Sequence, residues 1–121
     1  MTPFIAEVLG TALLITLGTG VVANVLLNKT NGNNSGWIVI TFGWCIAVFT
    51  GVYVSAAASG AHLNPAVTLA LAITEKFNWA DVPTYISAQL IGAFIGSLLV
   101  WMIYRKHFEA TADATAKLSV F

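Results

Sequence analysis

Charged residues are scarce in this sequence: only 8% of its 121 residues are Asp, Glu, Lys or Arg, while 58% are hydrophobic. A soluble domain carries about 25% charged residues, and a disordered chain is rich in charge, so both classes are excluded. Five basic residues balance five acidic ones, which leaves no basic face for nucleic acid. The single cysteine, Cys45, cannot form an internal disulfide. The composition therefore predicts an integral membrane protein with room for about three spans of roughly 20 residues.

Three long intervals contain no charged residue: residues 8–28, 30–74 and 82–104. Because a spanning helix needs about 20 apolar residues, each interval predicts at least one span. We read the first interval as a span and not as a signal peptide, since Glu7 stands where a signal peptide carries positive charge. The expected spans cover about residues 4–27, 37–59 and 83–105, with an extramembrane tail over 106–121.

The middle interval is too long for one span and is interrupted by the run Ser59-Gly60-Ala61-His62-Leu63-Asn64-Pro65, which is polar and rich in helix breakers. A short apolar helix is expected next, over about residues 65–75. At about 1.5 Å per residue, it reaches only halfway across a bilayer core of about 30 Å. Non-helical backbone is tolerated at membrane depth only when it is buried in protein or lines a wet cavity. We therefore expect a re-entrant half-helix beside a cavity or pore.

Asn64 and Pro65 predict the start of this half-helix. The Asn side-chain oxygen can cap a free backbone N–H, and Pro fits the first helical position. With its oxygen engaged, Asn64 keeps its NH₂ as a donor beside the positive end of the helix dipole. The carbonyls of the non-helical residues before the cap need donors. Such a site suits neutral hydroxyls or water and repels cations.

The run Ser59–Thr68 resembles the first signature of the major intrinsic protein family, the aquaporins and glycerol facilitators, and contains the NPA motif as Asn64-Pro65-Ala66. The similarity extends over residues 5–92. The family fold has six spans and two half-helices in two inverted repeats, and this sequence resembles the first repeat. The resemblance implies an all-α membrane protein with three transmembrane helices plus one re-entrant half-helix, one inverted-repeat half of the aquaporin fold.

The resemblance also implies which residues line a pore. Asn64 corresponds to the pore asparagine. Trp44, 20 residues earlier, matches the constriction tryptophan typical of bacterial glycerol facilitators, where water-selective members usually carry Phe. Val48, one turn further along, would extend the apolar side of the pore. The carbonyls that would line the path as acceptors are those of Gly60, Ala61 and His62.

Four further residues have expected structural roles. Glu7 and Gln89 match buried polar positions that brace the re-entrant loop; the alternatives are a membrane-edge position for Glu7 and a plain interhelical hydrogen bond for Gln89. Gly92 and Gly96 have the small-residue spacing that lets the third span pack closely on its neighbours. The same packing purpose is expected of Gly10, Gly18, Gly20, Gly43 and Gly51.

The function that these features favour is a passive channel for glycerol and small neutral polyols, with some water, present as its first half. One alternative is a water-selective aquaporin. Another, of a different class, is a non-conducting membrane fragment or interaction subunit, because the sequence contains only one half-helix. No enzyme activity, cofactor or metal site is expected, since His62 and His107 lie in different segments and the carboxylates do not pair.

The resemblance implies partners and a location as well. We expect a lipid bilayer, a second repeat and a homotetramer for the full-length protein, with no nucleic acid, in a bacterial inner membrane. The family topology would place Lys76 inside and the other basic residues outside, the reverse of the positive-inside rule, and we follow the family. Those other residues are Lys29, Arg105, Lys106 and Lys117.

Overall fold

The computed structural model describes all 121 residues, and every regular element in it is helical. A single 3-10 turn, Trp79–Asp81, directly precedes the third long helix. The α-helices are α1 (Pro3–Leu26), α2 (Trp37–Ser59), α3 (Pro65–Ile73), α4 (Val82–Ala110) and α5 (Ala114–Leu118).

Three segments are long and apolar enough to cross a membrane: α1, α2, and the continuous stretch Trp79–Ala110 that contains α4. The nine-residue α3 lies between the second and third of them and is too short to span a bilayer core of about 30 Å. The fold class predicted from the sequence is therefore confirmed: the protein is all-α, with three long apolar helices and one short helix between them.

Helix α1 lies between α2 and α4, and its contact with α4 is made at two glycines. A Cβ atom added at Gly92 would lie 2.5 Å from the carbonyl oxygen of Val8. One added at Gly96 would lie 2.7 Å from the carbonyl oxygen of Ala12. Backbone therefore packs directly on backbone here, an approach that only small residues permit in a helix interface.

The contact between α1 and α2 uses glycine in the same way. A Cβ at Gly51 would lie 2.9 Å from the carbonyl oxygen of Gly10, and a Cβ at Gly43 would lie 2.7 Å from Val21. The expectation of a packing role is wrong for Gly20, whose added Cβ would meet only Val100, at 3.9 Å. That distance is an ordinary van der Waals contact, so an alanine fits at this position.

Helix α3 ends in a Schellman motif slightly earlier than the expected residue 75. Glu75 adopts a left-handed conformation, with φ of 60°. Its N–H donates to the carbonyl of Ala72, and the N–H of Lys76 donates to that of Leu71. Both bonds satisfy carbonyls that would otherwise be unpaired at the helix end.

The expected tail over 106–121 has more structure than the sequence suggests. Helix α4 continues to Ala110, because Arg105 and Lys106 are compatible with helix. Thr111 then fixes the helix end: its Oγ1 donates to the His107 carbonyl at 2.7 Å and accepts from the Asn28 N–H at 2.8 Å. After α5 the chain returns to the bundle and buries Val120, which is 2% exposed, in an apolar cluster. Its other buried members are Val22, Ala23, Val25, Leu27, Ile40 and Val100.

Candidate functional site

The segment between α2 and α3 turns sharply because three of its residues are left-handed. Gly60 ends α2 with φ of 81°, and its N–H donates to the carbonyl of Ala56. Ala61 and Leu63 have φ of 54° and 52°, values that are uncommon for residues with a Cβ. A conformation of this kind persists only where surrounding contacts hold it.

Glu7 of α1 provides the main contacts that hold this loop. Its side chain is fully buried, at 0% exposure. Oε1 accepts from the Ser59 hydroxyl at 2.6 Å and from the His62 backbone N–H at 2.9 Å. Oε2 accepts from the Leu63 backbone N–H at 2.8 Å. One carboxyl group therefore binds two consecutive backbone amides of a loop that has no helical partner for them.

Gln89 of α4 and Thr68 of α3 extend this network behind the loop. The Gln89 side-chain NH₂ donates to Glu7 Oε2 at 2.8 Å and to Thr68 Oγ1 at 3.0 Å. The Thr68 hydroxyl donates to the Asn64 carbonyl at 3.3 Å and lies 3.1 Å from His62 Nδ1. Gln89 and Thr68 are 1% and 0% exposed. The network joins α1, the loop, α3 and α4 through buried and partly buried hydrogen bonds.

Leu63 anchors the loop by packing. The side chain is 7% exposed and lies between two glycines, one on α1 and one on α2. A Cβ at Gly10 would lie 2.6 Å from Leu63 Cδ2, and a Cβ at Gly51 would lie 3.0 Å from Cδ1. The glycines thus form a notch that the leucine fills, so the loop is held by an apolar contact as well as by Glu7.

The His62 ring belongs to a small aromatic cluster. Its centroid lies 4.6 Å from that of Phe77 and 4.8 Å from that of Tyr85, and the latter two are 4.7 Å apart. The Tyr85 hydroxyl donates to the Ser59 carbonyl at 2.8 Å. The cluster packs the loop between α2 and α3 against the start of α4, and the Tyr85 hydroxyl adds a bond to the end of α2.

Asn64 caps α3 through its side chain. Its Oδ1 accepts from the Ala66 N–H at 2.8 Å, and Pro65 occupies the first position of the helix. With the oxygen engaged, the side-chain NH₂ is the group that Asn64 can offer to a molecule beside it. The backbone carbonyls of Ala61 and His62 accept no hydrogen bond from within the chain. They are therefore free to accept one from another molecule.

A cavity of about 550 Å³ lies along this loop. One wall is formed by Ala61, His62 and Asn64, which carry the free donor and acceptors. Trp44 and Val48 of α2 belong to the apolar part of the lining. Five of the predicted pore residues therefore line one space. Gly60, which caps the end of α2, is not among the residues that line it.

A second cavity, of about 690 Å³, adjoins the first. Trp44 and Ile15 line both cavities, so the indole stands where they meet. The lining of the second cavity also includes three residues that carry hydroxyl groups: Thr19, Thr41 and Ser119. Two adjoining spaces therefore share one aromatic side chain in their linings.

The sequence model of the family described as "Major intrinsic protein" matches residues 1–120. The chain belongs to the major intrinsic protein family. The chain is similar to a "Probable glycerol uptake facilitator protein" of Thermotoga maritima, with 55% identity over 121 residues. Those residues are 100% of this chain and 52% of that protein. The "Glycerol uptake facilitator protein" of Bacillus subtilis is 50% identical over 121 residues, 100% of this chain and 44% of that protein.

A solved structure agrees with this membership. The aquaglyceroporin from Plasmodium falciparum superposes with a TM-score of 0.81 at 43% sequence identity, covering 88% of this chain and 43% of that one. The chain spans about half the length of the curated relatives it matches. Its helices are therefore consistent with one half of the fold of the major intrinsic protein family.

Sequence reasoning missed four residues that hold the loop between α2 and α3. Ser59, Leu63 and Thr68 lie inside the recognised motif, but no role was assigned to their side chains. Tyr85 lies outside the motif. A Tyr in a span with a buried hydroxyl needs a partner, which is the signal that could have identified it. Its partner lies 26 residues away in sequence, so spacing alone could not name it.

Proposed function

We propose that this chain forms one half of a membrane channel that passes glycerol and small neutral polyols, with some water, and converts no substrate. The observation that carries the proposal is the shared cavity, in which the Asn64 cap and the loop carbonyls share a lining with Trp44 and Val48. Glycerol has hydroxyls along one side and carbon along the other. Such a surface suits a path with polar groups on one wall and an apolar side chain on the opposite one.

Individual roles follow from this proposal. Asn64 donates its side-chain NH₂ to a permeating hydroxyl oxygen, and the carbonyls of Ala61 and His62 accept the hydroxyl hydrogens in turn. Trp44 narrows the path, and Val48 extends its apolar wall. The positive end of α3 lies at the same place and opposes the entry of cations.

The remaining residues act by holding the path in shape. Glu7 and Gln89 brace the loop, Pro65 and Ala66 start the half-helix, and Gly60 provides the turn that precedes it. The packing glycines Gly92 and Gly96 keep α4 against α1. Each of these roles is supported by the hydrogen bonds and close approaches described above.

The whole channel is proposed to need a second repeat, because this chain contributes only one half-helix. We place the membrane-crossing parts at α1, α2 and residues 83–105, with the following segment outside the hydrocarbon core. By analogy with the family, the assembled protein is a homotetramer in a bacterial inner membrane. The names of the bacterial relatives support glycerol as the solute.

The test is solute flux in proteoliposomes measured by stopped-flow light scattering. The chain is reconstituted alone and also fused to the part of the Thermotoga maritima relative that it does not match. We expect glycerol flux from the fused protein and its loss in Asn64→Ala. Asn78→Ala is the matched control, since Asn78 caps a short exposed turn away from the cavity.

Two results would contradict the proposal. Fast water flux without glycerol flux in the fused protein would identify a water-selective aquaporin. No flux of either solute from a folded fusion would identify a non-conducting fragment or interaction subunit. If the chain conducts alone, the requirement for a second repeat is wrong, while the assignment of glycerol stands.

A further inference from the structure

The indole of Trp44 rests directly on the backbone of α1. A Cβ added at Gly18 would lie 2.5 Å from Cζ3, 2.6 Å from Cε3 and 2.7 Å from Cη2 of that ring. These three atoms are consecutive along the outer edge of the six-membered ring. Real Cβ atoms essentially never approach other heavy atoms this closely, so the space beside Gly18 is already filled by the indole.

The neighbouring contacts prevent the two helices from separating to make room. Gly43, adjacent to Trp44, packs closely on Val21, because a Cβ added at Gly43 would lie 2.7 Å from the Val21 side chain. Two turns further along, a Cβ added at Gly51 would lie 2.9 Å from the Gly10 carbonyl oxygen, so the two helices are also in close contact there. Moving α2 away from Gly18 would break both of these contacts. Rotating the half-buried Trp44 side chain would break neither, so the ring moves more easily than the helix.

We propose that Gly18 is the positioning residue for Trp44 and thereby sets the width of the passage between the two cavities. A methyl group at Gly18 would push the indole off α1. Because Trp44 lines both cavities, the displaced ring would enter one of them. The effect on solute passage rests on the proposed function; the effect on the position of the ring does not.

The same helix offers a matched control. Gly20 is two residues away, and its added Cβ would meet only Val100 Cγ2 at 3.9 Å. Gly18→Ala and Gly20→Ala therefore make the same chemical change with the same gain in helix propensity. Only the first places an atom against Trp44.

The first experiment measures the ring itself and needs no transport. Trp44 is made the only tryptophan by replacing the other three with Phe, which their exposure permits. They are Trp37, Trp79 and Trp101, at 76%, 57% and 44% exposed. In this background, Gly18→Ala is expected to raise the acrylamide quenching constant of Trp44 and shift its emission to longer wavelength. Gly20→Ala is expected to match the parent, and an unchanged Gly18→Ala spectrum would overturn the proposal.

The second experiment measures the ratio of glycerol to water permeability in the fused protein described above. Gly18→Ala is expected to lower that ratio several-fold, and Gly20→Ala to leave it unchanged. Trp44→Phe removes the outer indole atoms, so adding Gly18→Ala to Trp44→Phe is expected to have little further effect. Additive effects of the two substitutions would overturn the proposal, because they would show that the residues act independently.

The double variant also shows why Gly18→Ala would fail to fold, if it does. If Gly18→Ala does not fold but the double variant with Trp44→Phe does, the clash is with the indole and the proposal is supported. If neither folds, the methyl group meets something other than Trp44 and the proposal is overturned. If the parent fusion conducts nothing, the proposed function fails, and the fluorescence of Trp44 still tests its positioning.

Discussion

The Leu63 backbone N–H donates to Glu7 Oε2 at 2.8 Å, across 56 residues of sequence. The same carboxyl group receives the adjacent His62 N–H through its other oxygen. Two consecutive amides that belong to no helix are therefore satisfied by one side chain from α1. An unpaired buried N–H costs about 1–3 kcal/mol, so the shape of the loop depends on this acceptor.

Glu7→Gln should destabilise the protein although it preserves the shape of the side chain. The new NH₂ cannot accept, so it faces donors such as the His62 or Leu63 N–H without a bond. We expect a loss of about 1–3 kcal/mol in unfolding free energy. Unfolding by sodium dodecyl sulfate, followed by circular dichroism, would measure it. Glu75→Gln, at an exposed site, is the control. Equal stability of the two variants would contradict the bracing role of Glu7.

Leu63→Ala should empty the notch between Gly10 and Gly51. Removing a buried leucine side chain costs about 2–5 kcal/mol, and the loss comes from the cavity as much as from the missing contacts. The same unfolding assay measures the cost. Leu69→Ala on the exposed face of α3 provides the comparison, since Leu69 is 38% exposed. Should both variants lose equal stability, Leu63 would have no special anchoring role.

Gly96→Ala should separate α4 from α1. Its Cβ would lie 2.7 Å from the Ala12 carbonyl oxygen, and neither backbone can give way without moving its helix. Overpacking of this kind costs about 1–3 kcal/mol. Gly20→Ala is expected to be neutral or slightly stabilising, through the higher helix propensity of alanine. If Gly96→Ala unfolded at the same detergent concentration as Gly20→Ala, the close approach of the two backbones would be refuted.

Tyr85→Phe should remove one hydrogen bond while keeping the aromatic cluster with His62 and Phe77. The Ser59 carbonyl loses the donor that lies 2.8 Å away, at an expected cost of about 1 kcal/mol. Tyr53→Phe is the control, because Tyr53 is 78% exposed. The difference in unfolding free energy between the two variants isolates the buried bond. A zero difference would mean that the Tyr85 hydroxyl contributes nothing to the end of α2.

The long helices and the break between α2 and α3 could be predicted from the sequence for local reasons. Long stretches without charge define membrane spans, and a run containing Gly60, Asn64 and Pro65 cannot continue a helix. The extension of α4 to Ala110 was missed because Arg105 and Lys106 mark a membrane boundary in sequence but favour helix locally. The burial of Val120 was missed because a single apolar residue in a polar tail has no periodicity to indicate a partner.

The side-chain network could be predicted only in outline. The resemblance pointed to Glu7 and Gln89, whereas nothing in their spacing relates them to each other or to the loop. Thr68 and Tyr85 find their partners through the packing of α3 and α4, which no local pattern encodes. The role of Gly18 depends on which of several span glycines faces an indole, and that choice is settled only when α1 and α2 come together.

The bond between Gln89 and Glu7 has a consequence for the order of assembly. It joins positions 82 residues apart, one on the first long helix and one on the third. Helix α1 precedes the loop and α4 in the chain, so during synthesis its carboxyl group can meet the loop amides and the Gln89 side chain only after those segments have been made. The hydrogen bonds that hold the loop are therefore complete only once α4 has packed against α1.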